Sequence, residues 1–194
     1  MIPVAVGLIT ALLTPLAAHC AAPLLNRLWK APSLLITQDH LSAFTLYTAR
    51  DPYRKEEYLR AVESERAITL SMNLTNNDER TLTVERMLLE LTEYLPPAKV
   101  EPEPLLTNGE ITARIVYRVN LGTSCQDYQC SLGEGSDGVV EQIPGKGCDP
   151  IDVRISPEKP GIYRFKLKIF YSVGTSQSHA ETGELSFISL AAKA

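Results

Sequence analysis

Three histidines in 194 residues are a thin supply of the side chain most used for general acid–base chemistry. His19 falls inside an apolar run, His40 precedes a strand and His179 sits in an expected turn. Neither a Gly-x-Ser-x-Gly elbow nor a His-Glu-x-x-His pair occurs, so the local signatures of serine hydrolases and zinc peptidases are missing. No loop gathers an acid, a base and a nucleophile; the expectation is a protein that is not an enzyme and carries no cofactor or metal. Basic excess is missing as well. Against 23 Asp and Glu stand 19 Lys and Arg, a net charge of −4, which removes any global attraction to nucleic acid. Hydrophobic and charged fractions of 44% and 22% are those of a globular chain.

The longest gap in charge is at the start: Ile2 to Leu25 contains no Asp, Glu, Lys or Arg. A helix of that length spans about 36 Å, enough for a hydrocarbon core of about 30 Å. A secretory signal carries positive charge before its apolar core, whereas here Arg27 and Lys30 follow it. That asymmetry keeps the carboxy-terminal side in the cytoplasm. Residues 1–25 are therefore expected to be a retained transmembrane anchor, and 26–32 an interfacial linker with Arg27, Trp29 and Lys30 at the headgroup level. Two alternatives stay open, a cleaved signal with its small residues at Ala18-His19-Cys20 and a buried hydrophobic helix. His19 spoils a lipoprotein reading of Cys20.

Residues 33–194 fit one domain. Ser33 to Thr37 and Leu41 to Thr48 read as short strands. Asp51 to Arg66 reads as a helix, with Asp51 as cap, Pro52 at the first helical position, and Tyr58, Leu59 and Val62 as a narrow apolar stripe. From Ala67 the period is two: Ile68, Leu70, Met72 and Leu74 alternate with polar residues, as in a strand buried on one face. Asn76-Asn77-Asp78-Glu79 reads as a turn, and Thr81 to Tyr94 as the returning strand of a hairpin. In it Leu82 and Val84 are out of step with Met87, Leu89 and Leu91, which calls for a bulge near Glu85-Arg86. The prolines from Pro96 to Pro104 mark a crossing loop. Strands follow at Glu110 to Leu121, at Ile151 to Ile155, in a long run opened by Pro160-Gly161 and including Ser172, and at Gly183 to Leu190, while Cys125 to Cys148 reads as irregular.

At Glu158-Lys159-Pro160-Gly161-Ile162-Tyr163-Arg164-Phe165 the chain resembles the tyrosine corner of immunoglobulin-like domains, where a Tyr early in the sixth strand hydrogen-bonds back to the preceding corner. Tyr163 takes the tyrosine position and Phe165 the following core position, so the family's inter-sheet disulfide is absent. With about seven or eight strands, the resemblance implies an antiparallel immunoglobulin-like or fibronectin-like sandwich with one short helix. It implies nothing about function.

Cys125, Cys130 and Cys148 crowd one segment. In an oxidising compartment two of them would form a disulfide; in the cytoplasm they would be thiols. Their spacing is not the paired form of a zinc site. Gly133 to Gly138 spells Gly-x-Gly-x-x-Gly without the strand before it and helix after it that make a dinucleotide site. Asn73-Leu74-Thr75 matches a glycosylation acceptor of exported chains. The main surface candidate is electrostatic: Arg164, Lys166 and Lys168 alternate on one strand, and Arg114, Arg118 and Arg154 hold the polar positions of two others. If these strands are neighbours they form a basic face suited to an acidic partner or anionic lipid; otherwise the charges sit opposite acidic cross-strand partners. The sequence thus predicts a single-pass membrane protein on the cytoplasmic side that acts as an interaction or accessory module, or else an exported domain with a loop disulfide.

Overall fold

Period-two sequence dominates the chain from residue 68, and in the computed structural model it is realised as strand almost throughout. The structure describes residues 33–42, 46–54, 57–63, 66–96, 102–105, 115–132 and 141–191; the expected anchor, the linker, Arg114 and the glycine run 133–138 lie outside them. Thirteen strands are present among the described residues: β1 (Leu34–Ser42), β2 (Leu46–Arg50), β3 (Tyr58–Glu63), β4 (Ile68–Asn76), β5 (Leu82–Leu95), β6 (Glu103–Leu105), β7 (Ile115–Leu121), β8 (Asp127–Leu132), β9 (Gln142–Ile143), β10 (Cys148–Pro157), β11 (Gly161–Val173), β12 (Ser176–Glu181) and β13 (Leu185–Leu190). The protein is mainly β, with no helix among the described residues. None of them forms a helix long and apolar enough to cross a membrane.

The strands follow one path, β1-β4-β10-β7-β8-β5-β11-β13-β3-β2-β6, with β12 beside β11 and β9 beside β5. The path curls. Apolar residues of β4, β10 and β7 (Leu70, Val153, Val119) join those of β5 and β11 (Leu89, Phe165, Leu167) in one buried cluster. Most pairs are antiparallel, but β10 runs parallel to β7, and β13 parallel to β3.

The expected hairpin does not form. β4 pairs with β1 and β10, while β5 pairs with β11, β8 and β9. Ile68, Leu70 and Leu74 on β4 and Leu82, Leu89 and Leu91 on β5 are nearly or wholly inaccessible, and both stripes enter the same buried cluster. The loop between them is organised by Asn76, whose side-chain amide donates to the carbonyls of Arg80, Ile143 and Pro144. The bulge is present: Val84 pairs with Tyr171 and Arg86 with Phe170, leaving Glu85 as the extra residue.

The expected helix over Asp51 to Arg66 is replaced by a turn and a strand. Asp51 does cap, since its carboxylate accepts from the backbone N–H groups of Tyr53 and Arg54. The chain then closes back through Asp51 N–H donating to the Glu57 carbonyl and continues as β3. Leu59 and Ala61 alternate with exposed Tyr58 and Arg60, a pattern compatible with period two as well as with a helical stripe. Pairing on both sides, with β2 and β13, decides for strand. The segment Cys125–Cys148, expected to be irregular, contributes β8 and β9, and the turn after β11 is only Gly174-Thr175 before β12 begins.

Candidate functional site

Side chains on β11 alternate between two faces. Tyr163, Phe165, Leu167 and Ile169 enter the main core; Ile162 and Arg164 take the other face. There Leu95, Ile162, Ile188, Ala61 and Tyr47 form one row across five strands, with Ala49 and Leu59 beside it in a second apolar cluster. Arg164 continues that face and is 1% exposed. Its Nη2 donates to Asp51 Oδ2 at 2.6 Å and its Nε to Glu93 Oε2 at 2.6 Å, with Glu57 at 3.9 Å. Asp51 is itself wholly buried. Burial would raise its pKa, but the Arg164 hydrogen bond and the two backbone donors outweigh that and hold the carboxyl below its ordinary value. Burial likewise opposes charge on Arg164, and its bonds to Asp51 and Glu93 raise its pKa despite this. An ion pair out of water is tolerable only when its partners offset the loss of hydration; here Nε and Nη2 are hydrogen-bonded, while the buried Nη1 has no hydrogen-bond partner and only Glu57 at 3.9 Å.

Farther along β11, Lys166 pairs with Glu181 at 3.7 Å. Lys168 pairs with Glu90 at 3.0 Å and with Asp127 at 3.9 Å; the Glu90 hydrogen bond raises its pKa. All three cations of β11 thus face acids.

Arg118 on β7 and Arg154 on β10 differ. The strands are parallel neighbours and the two arginines are register partners, so their Cα atoms lie about 4.8 Å apart. Both are exposed, and neither has an acidic partner among the described residues. Arg118 also faces Ser131 of β8, and Arg154 faces Thr69 of β4. The structure brings these two members of the expected basic face together, and places β8 and β5 between them and β11.

The next outward pair along the same two strands is Asn120 and Ser156. Both line an open cleft of about 570 Å³ whose wall includes Gln126, Tyr128 and Glu158. Gly122 also lines it, and a Cβ there would fall 2.8 Å from Tyr128 Oη and 3.3 Å from Glu158 Oε2, so those side-chain ends would have to shift. The Tyr128 hydroxyl donates to the Ser124 carbonyl at 3.0 Å, and Glu158 N–H donates to the Leu121 carbonyl, fixing both walls. The cleft has little signature in the sequence, because its residues are ordinary loop and strand-end polars, distant in sequence. The only local signal was a glycine directly after an alternating strand.

Cys125 and Cys148 are exposed, Cys130 is buried, and all three are free. Cys130 faces Met87 across the β5–β8 pair, and burial pushes its thiol pKa up to about 12, which leaves it protonated and unreactive. Cys148 Sγ accepts from Thr75 Oγ1 at 3.5 Å. The Tyr163 hydroxyl donates to the Lys159 carbonyl at 2.7 Å, and the pKa of this buried phenol is pushed up to about 12. Two residues earlier, Gly161 has φ 155°, and a Cβ there would meet the Tyr94 ring at 2.5 Å; glycine is the residue that fits. Among the described residues no group of three His, Cys, Asp or Glu is placed to hold a metal ion, and His179 lies exposed on β12 against the Phe170 ring.

No family model and no curated protein matches the chain. A solved structure described as the X-ray structure of Northeast Structural Genomics Consortium target SoR45 is similar at a TM-score of 0.38 and 9% identity, over 80% of this chain and 86% of that one. Likeness at that level leaves function to be argued from the chain's own residues.

Proposed function

We propose that the chain is a single-pass membrane protein whose immunoglobulin-like β-sandwich acts by binding another protein, without catalysis. The observation that carries the sandwich reading is strand order. β1, β4 and β10 stand in the order of the first, second and fifth strands of such a domain, and β5 and β11 in that of the third and sixth, with both β12 and β13 pairing β11 where that domain has its seventh. Tyr163 then lies early in the sixth strand and bonds back to the corner before it. The parallel pairing of β7 with β10 departs from that pattern. The binding reading draws on the exposed Arg118–Arg154 pair beside a concave cleft, and the anchor reading on the uncharged run Ile2 to Leu25 with Arg27 and Lys30 behind it.

The test uses the thiols. Cys125 and Cys148 are accessible and Cys130 is not, so an impermeant thiol reagent reports which side of the membrane the domain occupies. The expected result is modification of Cys125 and Cys148 only after the membrane is opened, with an intact amino terminus by mass spectrometry. Modification in sealed cells, or a mature chain beginning near Ala21, would instead establish the exported form.

A further inference from the structure

Resting on that binding reading, we infer that Arg118 and Arg154, with the cleft beyond them, form a docking site for an acidic peptide segment of a partner protein. Two guanidinium groups on adjacent parallel strands repel each other, and neither is in an ion pair with an acid among the described residues. A bound anion would supply the missing charge, and arginine is the side chain best shaped to take a carboxylate through two parallel hydrogen bonds. The spacing of about 4.8 Å between neighbouring strands suits two carboxylates from one short segment. The chain as a whole is acidic, so this is a local basic spot in a repelling field, which favours a short acidic stretch over a long polyanion.

The cleft narrows the choice further. Asn120 and Ser156 begin it directly beyond the arginine pair, and Gln126 extends it. Amides and hydroxyls offer both donors and acceptors, as an extended peptide backbone requires. Its volume of about 570 Å³ lies within the range of about 300–1,000 Å³ typical of ligand sites. Glu158 in the wall repels any ligand that presents negative charge along its whole length, which disfavours nucleic acid and sulfated glycan. A flat anionic bilayer would meet the arginines but leave the concavity empty. What fits is a segment with acidic side chains at one end and neutral polar residues following.

The experiment uses the full chain in detergent micelles and a fluorescein-labelled peptide with two adjacent aspartates in a Ser/Gly frame. Its comparators are the same peptide with asparagines, a sulfated oligosaccharide and phosphatidylserine vesicles. Saturable binding of the aspartate peptide is expected, weaker by about tenfold in Arg118→Ala or Arg154→Ala, since each removes a charge-assisted hydrogen bond. Both side chains are exposed and unpaired, so an unchanged melting temperature separates lost binding from lost fold. The R118E/R154E double variant is expected to reject the aspartate peptide and to bind the same frame with two lysines. Ser156→Leu, which obstructs the cleft without touching the arginines, should weaken the aspartate peptide too. Equal binding of the asparagine peptide, tighter binding of the oligosaccharide or the vesicles, or indifference to the arginine variants would overturn the proposal. None of those outcomes bears on membrane anchorage, which the thiol experiment reads separately.

Discussion

Arg164 and the pair Arg118–Arg154 occupy equivalent places in their strands, each a basic residue between two apolar core positions, and the fold treats them in opposite ways. Arg164 is buried and held by two acids, Asp51 and Glu93. Arg118 and Arg154 stand in solvent beside each other. What separates them is the neighbouring chain. At β11 the segment before β3 brings the carboxylates of Asp51 and Glu57 to Arg164, whereas Arg118 and Arg154 are exposed and pair with no acid among the described residues. Burial turns a charge into a structural element, because the ion must then be paired inside the protein; exposure leaves it available for a partner.

The contrast breaks most visibly if Arg164 is removed. Arg164→Ala leaves the Asp51 carboxylate buried without its cation, and loss of one partner of a buried pair costs about 3–5 kcal/mol. Urea denaturation should show a fall of that size. Replacing Asp51 and Arg164 together by apolar residues of similar volume should recover much of it, since the unpaired charge is then gone. If Arg164→Ala costs no more than an exposed substitution, the burial seen here does not carry the stability assigned to it.

A smaller effect, sensitive to pH, follows from Asp51. Its pKa is depressed from 3.8 in the folded state. A depressed carboxylate contributes stability that is fully present above the unfolded value and is lost as pH falls through the folded one. Asp51→Asn should therefore be less stable than the parent at neutral pH, and the gap should narrow only below about pH 3.8. A gap that closes between pH 5 and 7 would point to another group.

Much of this was readable beforehand. Alternation identifies the buried faces of β4, β7, β10 and β11 because the opposite face of each carries mostly polar residues, and the phase slip between Val84 and Met87 locates the Glu85 bulge. The strand β3 was not readable: Leu59 and Val62 suit a helical stripe, Leu59 and Ala61 suit a strand, and only partners on both sides, remote in sequence, choose between them. Asp51 was recognised as a cap but not as the counter-ion of Arg164, 113 residues away. The same limit hides the separation of Arg118 and Arg154 from Arg164, Lys166 and Lys168. Periodicity says which side of a strand a charge occupies, but not which strand lies next to it.

The smallest expected differences test the exposed end of the comparison. Lys166 is partly exposed and 3.7 Å from Glu181, a geometry in which ion pairs contribute about 0.2–1 kcal/mol or nothing measurable. Lys166→Ala should lower the melting temperature slightly, and less so in salt. Arg118→Ala should do the reverse. Removing one of two neighbouring like charges relieves repulsion, so the melting temperature should hold or rise slightly in dilute buffer. That advantage should disappear in about 0.5 M salt, where the screening length falls well below 10 Å. Opposite signs for two exposed cations, both vanishing with salt, would mean that the acid partner is what distinguishes them. A drop in stability for Arg118→Ala would instead mean that the arginine holds the sheet together, and the case for keeping it free to bind an anion would fail.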